Sequence, residues 1–226
     1  MTSTGNLEKA LLLDISRYEK SKSKLCRVAK HFYDLVHFQI NDILSKNREV
    51  ELKIGDTNVI YPNSPILSST GIGYLVEAKI YSLLKSKNIV SEKNTNQSFY
   101  DLKYDYSKNV ELFVNIKVQK RNNPGICASG KYLKYYIKTP KVTKLYLVYV
   151  INYSLDEDRG KLVFGNSSGY FVESFITKVF KCDKRNWSKK FNPFSGRIQK
   201  PKSIGLIEDI PEWNIIIKCL NKLYTQ

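Results

Sequence analysis

Apolar and polar residues alternate along residues 110–119, and this alternation is the clearest structural signal in the chain. The apolar positions are Val110, Leu112, Val114, Ile116 and Val118, and the positions between them are Glu111, Phe113, Asn115, Lys117 and Gln119. A period of two predicts a β-strand with one apolar face. Asn115 and Lys117 therefore share the other face of the predicted strand.

Helical spacing dominates the residues before this strand. Between residues 7 and 47 the apolar residues recur at helical intervals and predict two helices separated near residues 21–23. Residues 48–61 predict a small hairpin around turn formers at 55–58. A helix is predicted over residues 71–87, after N-cap residues at 68–70, and residues 88–90 predict a first strand. Residues 104–109 then form a hairpin loop into the strand at 110–119.

The second half of the chain completes a sheet. Residues 145–151 are apolar almost throughout, which indicates a central strand buried on both faces. Residues 155–160 predict a charged turn, 161–165 the next strand, 181–202 a long loop and 211–224 a helix, whereas 170–180 fit either a helix or a strand. These elements predict one α/β domain, residues 1–226, with a mixed central β-sheet of about five strands flanked by helices.

Charge narrows the class of partner. Lys and Arg number 37 against 21 Asp and Glu, which gives a net charge of +16 at neutral pH. Such an excess is typical of proteins that bind a polyanion, and nucleic acid is the first candidate; the alternative is a merely soluble basic surface. Residues 120–144 contain no acid, and their lysines are interleaved with Tyr132, Tyr135 and Tyr136. Aromatic residues of this kind are more often core or strand-pair residues than stacking platforms for bases.

The cysteines and the hydropathy pattern argue against several other classes. The four cysteines form no C-x-x-C pair, and His31 and His37 are the only histidines that could join them, so we expect no zinc site and treat both histidines as surface or packing residues. No signal peptide and no membrane span are predicted. We expect a cytoplasmic protein with reduced thiols, no membrane partner and no small-molecule cofactor.

A candidate metal site lies where the predicted hairpin brings Asp101 beside the strand with Asn115 and Lys117. Hydrolysis of a phosphodiester needs a divalent cation to polarise the phosphate and activate water, and a positive group to offset charge in the transition state. Hard cations prefer oxygen ligands, so the Asp101 carboxylate and the Lys117 ammonium meet these needs. A second acid is missing, because Asn115 stands where it would be expected. By chance alone, such a short motif is common, and a strand ending in lysine is usually a solvated edge.

Asp101 and the sequence Asn115-Ile116-Lys117 resemble the motif of the PD-(D/E)xK nuclease superfamily, with Tyr100 in place of the usual proline. The superfamily also tends to carry a glutamate on the preceding helix, and Glu77, four residues after Gly73, matches it. The resemblance implies a restriction-endonuclease-like fold and a Mg²⁺ ion as cofactor. It implies catalytic roles for Asp101, Asn115, Lys117 and Glu77, and metal binding by Asp101, Asn115, Ile116 and Glu77.

More narrowly, the order of segments from residue 60 to 117 is similar to type II restriction endonucleases of the EcoRV kind. This similarity implies a homodimer that cuts double-stranded DNA at a short palindromic site, leaves blunt ends and uses residues 60–180 as its catalytic core. Residues 1–47 would then serve dimerisation or packing, and residues 181–205 would form a DNA-recognition loop. The DNA-binding residues predicted from the resemblance and from the basic runs are Asn94, Asn96, Gln97, Lys120, Arg121, Lys131, Lys134, Arg197, Gln199 and Lys200.

Two other functions fit the same residues. One is a structure-specific or repair nuclease of the same fold, and the other is a non-catalytic DNA-binding module in which Asn115 marks a decayed site. Asn115 is either native or a replacement of an aspartate. An AT-rich target is suggested only by an amino-acid composition that is typical of low-GC coding sequences.

Overall fold

The computed structural model describes residues 24–51, 53–54, 57–58, 78, 80–82, 100–107, 109–120, 127–129, 131–156, 158–174, 191–192, 197–199, 207 and 210–224. Three helices and ten strands have bounds within these residues. In chain order they are α1 (Lys24–Lys46), β1 (Glu49–Glu51), β2 (Lys53–Ile54), β3 (Thr57–Asn58), β4 (Leu102–Ser107), β5 (Val110–Lys120), β6 (Cys127–Ser129), α2 (Lys131–Lys138), β7 (Thr143–Asp156), β8 (Lys161–Phe171), β9 (Phe191–Asn192), β10 (Arg197–Gln199) and α3 (Trp213–Tyr224).

The central sheet has five strands in the order β1-β8-β7-β5-β4. Strands β5 and β7 are parallel, with Asn115 paired to Val148, while every other neighbouring pair is antiparallel. The β4–β5 hairpin pairs Leu102 with Val114. The predicted fold class is confirmed: the chain has an α/β fold with a mixed five-stranded sheet and flanking helices.

Helices cover both faces of this sheet. On one face, Phe32 of α1 makes ring contacts with Tyr104 of β4 at 5.5 Å and Phe171 of β8 at 6.4 Å. On the other face, Tyr135 of α2 makes an edge contact with Phe113 of β5 at 5.8 Å between ring centroids. Helix α3 packs against α2, because the rings of Trp213 and Tyr136 lie 5.1 Å apart. The protein therefore has three layers, with the sheet in the middle.

Close packing between α1 and β8 requires a glycine. A Cβ atom added at Gly169 would lie 2.9 Å from Leu147 Cδ1, 3.1 Å from Tyr149 Cδ2 and 3.2 Å from Tyr33 Cε2. Tyr33 belongs to α1, and the other two residues belong to β7. Any larger residue at this position would push the helix away from the sheet.

The strand predicted at residues 110–119 is confirmed, but its single apolar face is wrong. The five consecutive residues Leu112, Phe113, Val114, Asn115 and Ile116 are all buried. The reason is that α1 covers one face of β5 and α2 covers the other. The loop predicted at residues 104–109 is shorter than expected. Residues 104–107 continue β4 as a strand, and only the turn near Asn109 remains.

Other element predictions have mixed outcomes. The hairpin within residues 48–61 is confirmed by β2 and β3, and Glu49–Glu51 adds an edge strand to the central sheet. Strand β8 runs to Phe171 rather than ending at 165, and the predicted long loop holds β9 and β10. The helix over 24–46, the buried strand at 145–151 and the helix near 211–224 are confirmed.

Several predictions fall partly or wholly outside the described residues. The first predicted helix and the strand at residues 88–90 lie outside them, and the helix over 71–87 is described only as helical at residues 78 and 80–82. Within the described part of the chain, no helix combines the length and apolar character needed to cross a bilayer.

Candidate functional site

Asp101 is held against β5 by two hydrogen bonds that bracket Asn115. Its N–H donates to Val114 O at 2.9 Å, and its Oδ2 accepts the Ile116 N–H at 2.5 Å. Backbone N–H and C=O groups of one strand residue point to the same side, so the Ile116 carbonyl also points toward the side of β5 that Asp101 occupies. The Asp101 carboxylate is thus fixed immediately before the first residue of β4, next to Asn115 and Ile116.

Asn115 and Lys117 lie two residues apart on the α2 face of β5. The Asn115 side chain is 7% exposed, whereas that of Lys117 is half-buried. Two strand residues span about 6.6 Å, which places both side chains near the end of the Asp101 carboxylate. None of the ion pairs among the described residues includes Lys117. Lys117 thus has no ion-pair partner within the part of the chain that the structure describes.

Tyr146 lies beneath this group of residues on the same face of the sheet. It pairs with Phe113 in the β5–β7 register and is fully buried. Burial raises the pKa of Tyr146 well above its usual value, and the negative charge of Asp101 raises it further. The Tyr146 hydroxyl therefore stays protonated and forms part of the wall near Asp101.

A second carboxyl, Glu173, is buried behind Tyr146. Its oxygens accept hydrogen bonds from the Tyr136 hydroxyl and from the Tyr146 N–H, the latter at 3.1 and 3.2 Å. Burial raises the pKa of Glu173 to about 7, against the opposing effect of these hydrogen bonds. Because Glu173 is fully buried and its acceptors are occupied, it supports the packing of α2 on β7 and does not face solvent.

The same face carries further charged residues at its other end. Lys144, which belongs to the basic run predicted as a surface, is fully buried, and its Nζ donates to Thr139 O and Val142 O, each at 2.8 Å. Burial lowers the pKa of Lys144 to about 8. Glu111 accepts the Tyr135 hydroxyl and forms a 2.9 Å ion pair with Lys103. The prediction that residues 120–144 form one basic face is therefore wrong at Lys144.

The tyrosines of this run confirm the core interpretation in part. Tyr136 is fully buried and Tyr135 is half-buried, but both lie on a helix rather than on a paired strand. Helix α2 arises because Leu133, Tyr136 and Ile137 recur at helical spacing and face the sheet and α3. The strand-pair reading of these tyrosines is wrong, since period-two alternation is absent.

A small second sheet joins the two basic runs of the sequence. Strand β10 pairs with β6 on one side and with β9 on the other, in the order β6-β10-β9. The register places Arg197 opposite both Ser129 and Asn192, and Gln199 opposite Cys127. Residues that are far apart in sequence are therefore neighbours in this small sheet.

The predicted site residues fall into three groups. Asp101, Asn115, Ile116 and Lys117 lie together. Lys120 is exposed at the end of β5, Lys131 and Lys134 lie on α2, and Arg197 and Gln199 lie on β10. The predicted residues outside the described part of the chain are Glu77, Asn94, Asn96, Gln97, Arg121 and Lys200. The roles predicted for the residues of all three groups stay predictions.

Sequence reasoning missed the buried tyrosines and Glu173 around the site. Tyr146 was hidden in an apolar run that gave no sign of two distinct faces. Glu173 follows β8 at the point where no helix or strand could be chosen. The only sequence signal was the acid itself, which stands next to a buried strand end.

The described donor atoms around Asp101 are all oxygens. They comprise the Asp101 carboxylate, the Asn115 amide oxygen and the Ile116 carbonyl, a set suited to a hard cation such as Mg²⁺. Within the described residues, no three His, Cys, Asp or Glu side chains lie close enough to hold a metal ion together. A complete acidic set would need a carboxylate from outside the described residues.

The sequence matches no protein-family model and none of the curated proteins. Among solved structures, the chain is similar to the NlaIV restriction endonuclease, with 21% identity and a TM-score of 0.44 over 65% of this chain. The match covers 58% of that enzyme, so this chain spans less than two thirds of its length. A TM-score of this size is too low to support the fold or the site, which rest on the contacts given above.

Proposed function

We propose that the chain is a Mg²⁺-dependent endonuclease that cuts double-stranded DNA, of the type II restriction class. The observation that carries this proposal is the position of Asp101, whose backbone and carboxylate bracket Asn115 through Val114 O and the Ile116 N–H. Lys117 follows on the same face. This arrangement combines a fixed anionic oxygen ligand with a cation that has no ion-pair partner among the described residues.

Each residue has a distinct role in the proposed reaction. Asp101, the Asn115 amide oxygen and the Ile116 carbonyl would hold the cation, with Glu77 as the additional carboxylate. The cation would polarise the phosphate and lower the pKa of water. Lys117 would donate hydrogen bonds to the scissile phosphate and stabilise the negative charge that develops in the transition state. Tyr146 would exclude water from beneath Asp101.

The DNA-binding part of the proposal rests on charge and on the small sheet. A net charge of +16 favours association with a polyanion. Arg197 and Gln199 lie on β10 of the small sheet, and arginine and glutamine form paired hydrogen bonds with guanine and adenine edges in the major groove. Lys120, which is exposed at the end of β5, would contact a phosphate.

The proposed substrate also leads to a proposal for the oligomeric state and the cellular location of the protein. A palindromic site has two-fold symmetry, so a homodimer with residues 1–47 near its interface is the expected form. Blunt-ended cutting and an AT-rich site are part of the same proposal, as is a cytoplasmic location.

A non-catalytic DNA-binding module is the second candidate, and Asn115 is the observation that favours it. A neutral amide binds a divalent cation more weakly than a carboxylate does. If Asp101 were the sole acid at the site, the protein could retain its DNA surface while cutting poorly. A structure-specific nuclease differs from both in its substrate rather than in its site.

Incubation of the wild-type protein with supercoiled plasmid DNA separates these functions. Discrete fragments in Mg²⁺ but not in EDTA support the restriction endonuclease, and cutting confined to a four-way junction supports a structure-specific nuclease. Electrophoretic retardation of DNA without cutting supports the binding module. Failure to bind or cut any DNA would contradict all three.

A further inference from the structure

Strand β8 contains an uncommon interior sequence, Gly165-Asn166-Ser167-Ser168-Gly169. Glycine and asparagine are depleted in strands, because they pack little surface against a sheet. Ser167 pairs with Ile151 and Phe164 pairs with Tyr153, so Gly165 and Asn166 together oppose Asn152. Two residues opposite one form a β-bulge, a feature enriched beside binding sites.

Hydrogen bonds of the Asn152 side chain hold the bulge in place. Asn152 Nδ2 donates to Asn166 O at 2.8 Å, and Asn152 Oδ1 accepts Gln119 Nε2 at 2.8 Å. Ser167, a small residue, faces α1 beside the bulge, and a hollow remains between the helix and the sheet. This hollow lies on the face opposite Asn115 and Lys117, so it is separate from the proposed nuclease site.

The hollow is a cavity of about 690 Å³. Sites for small molecules range over about 300–1,000 Å³, so the volume suits a ligand of that size. Its walls include Tyr153 and Phe164, its floor includes Asn41 and Ser167, and Arg48 lies at its rim. No Asp or Glu is among the described residues that line it.

Four side chains form a closed ring of hydrogen bonds, and three of them, His37, Asn41 and Ser167, line the cavity. His37 Nδ1 contacts the Tyr149 hydroxyl at 2.8 Å, and that hydroxyl contacts Ser167 Oγ at 2.8 Å. Ser167 Oγ donates to Asn41 Oδ1 at 2.6 Å. Asn41 Nδ2 closes the ring on His37 Nε2 at 2.8 Å.

The direction of every proton in this ring follows from Asn41. Its Nδ2 can only donate, so His37 Nε2 accepts and His37 Nδ1 carries the proton. The Tyr149 hydroxyl then accepts from His37 and donates to Ser167. Burial lowers the pKa of His37, against the opposing charge of Asp34, which favours the neutral ring that this arrangement needs.

The ring fixes the groups that a ligand would meet. One amide hydrogen of Asn41 and oxygen lone pairs on Asn41 and Ser167 are not used within the ring. These acceptors suit the amino group of a nucleobase, and the Asn41 hydrogen suits a ring nitrogen or carbonyl. Tyr153 and Phe164 offer aromatic walls, and Arg48 offers a cation with a geometry suited to phosphate.

We propose that this cavity binds a nucleoside monophosphate, with the base against the ring of Asn41 and Ser167 and the phosphate at Arg48. The same chemistry exists in a free mononucleotide and in a nucleotide unstacked from a strand. The inference does not depend on the proposed nuclease activity, since none of the cavity residues belongs to the Asp101 site.

Isothermal titration and ligand-observed NMR with AMP, GMP, CMP and UMP test this proposal on the full chain. Saturable binding of at least one mononucleotide, with weaker binding of its nucleoside and of inorganic phosphate, is the expected result. A short oligonucleotide that competes with the mononucleotide would identify a strand as the natural source, and absence of competition would identify the free nucleotide. No saturable binding of any mononucleotide or oligonucleotide at millimolar concentration would overturn the proposal.

Two pairs of variants locate the site. Arg48→Gln is expected to weaken mononucleotide binding about tenfold while leaving the nucleoside unaffected, because it removes a charge-assisted hydrogen bond. Lys46→Gln, which removes an exposed charge nearby and does not line the cavity, is expected to leave binding unchanged. Ser167→Leu places a larger apolar side chain on the α1 side of β8 and should abolish binding, whereas Ser168→Leu lies on the exposed side of the same strand and should not.

Circular dichroism and thermal unfolding establish that each of these variants is folded. Mononucleotide binding that survives Ser167→Leu in the folded protein would overturn the proposal. Equal weakening by Arg48→Gln and Lys46→Gln would also overturn it, because that result would indicate general attraction to a basic surface.

Discussion

The Asp101 carboxylate accepts the Ile116 N–H at 2.5 Å and so takes the place of a backbone partner at the end of the β4–β5 ladder. This bond fixes the carboxylate before any ligand binds. It also makes the structural role of Asp101 separable from its charge, because an amide oxygen can accept the same bond.

We predict different results for two substitutions of Asp101. Asp101→Ala leaves the Ile116 N–H without its acceptor and should lower the free energy of unfolding by about 1 kcal/mol. Asp101→Asn should keep most of that stability but lose Mg²⁺-dependent DNA cleavage. Urea denaturation and plasmid cleavage measure the two effects. Equal cleavage by wild type and Asp101→Asn would contradict the proposed metal ligand.

Much of the fold and part of the site could be predicted from local sequence. Strand β5 and the proximity of Asp101 to Lys117 follow from alternation and a short hairpin. Burial of β5 on both faces could not be predicted, because it depends on α1 and α2 packing from opposite sides. The extension of β8 through Gly165 and Gly169 contradicts local strand preference, and pairing with β7 overrides that preference.

The small sheet and the buried Glu173 could not be predicted either, because both depend on contacts between residues that are far apart in the sequence. Strands β6 and β10 have three residues each and pair across a long separation in sequence, so neither carries enough periodicity to be recognised. The environment of Glu173 depends on Tyr136 and Tyr146, which come from two other elements. Its pKa rises because the folded protein buries it completely.

Lys117→Ala should abolish cleavage and leave DNA binding nearly intact. Removal of a group that stabilises transition-state charge typically costs about 10²–10³ in rate. Single-turnover cleavage and electrophoretic mobility shifts measure the two properties. Lys161→Ala is the matched control, because Lys161 pairs with Glu49 at the far edge of the sheet. Loss of cleavage in both variants would show that net charge, rather than the position of Lys117, matters.

Glu173 should make stability depend on pH near neutrality. Its pKa is about 7 in the folded protein against an ordinary value of 4.5, so the folded state holds a proton that the unfolded state releases first. Its contribution is fully present below pH 4.5 and is lost as pH rises through about 7. The loss corresponds to roughly 3 kcal/mol of unfolding free energy.

Glu173→Gln isolates this contribution, because glutamine does not titrate and can still accept a hydrogen bond from Tyr136. Urea denaturation of wild type and variant between pH 4.5 and 8 should give a stability difference that moves in favour of the variant as pH rises, since the wild type alone loses stability. A difference that stays constant over this range would contradict the assigned protonation.

Gly169→Ala should destabilise the protein by about 1–3 kcal/mol, because the added methyl would overlap Leu147, Tyr149 and Tyr33. Gly165→Ala is the control on the same strand. Its Cβ would meet no described atom closer than Asn152 O at 3.6 Å. The control should change stability by less than about 0.5 kcal/mol. Chemical denaturation of both variants gives the comparison, and equal effects would show that α1 does not approach Gly169 closely.

The dependence of Asn115→Asp cleavage on Mg²⁺ concentration tests the central claim most directly. A second carboxylate beside Asp101 should strengthen cation binding, since like charges at one site are stabilised by a divalent ion. We predict that the variant cuts plasmid DNA and reaches half-maximal cleavage at a Mg²⁺ concentration about tenfold or more below that of wild type. A folded variant that binds DNA but shows no Mg²⁺-dependent cleavage would contradict the claim that Asp101, residue 115 and Lys117 form a nuclease site.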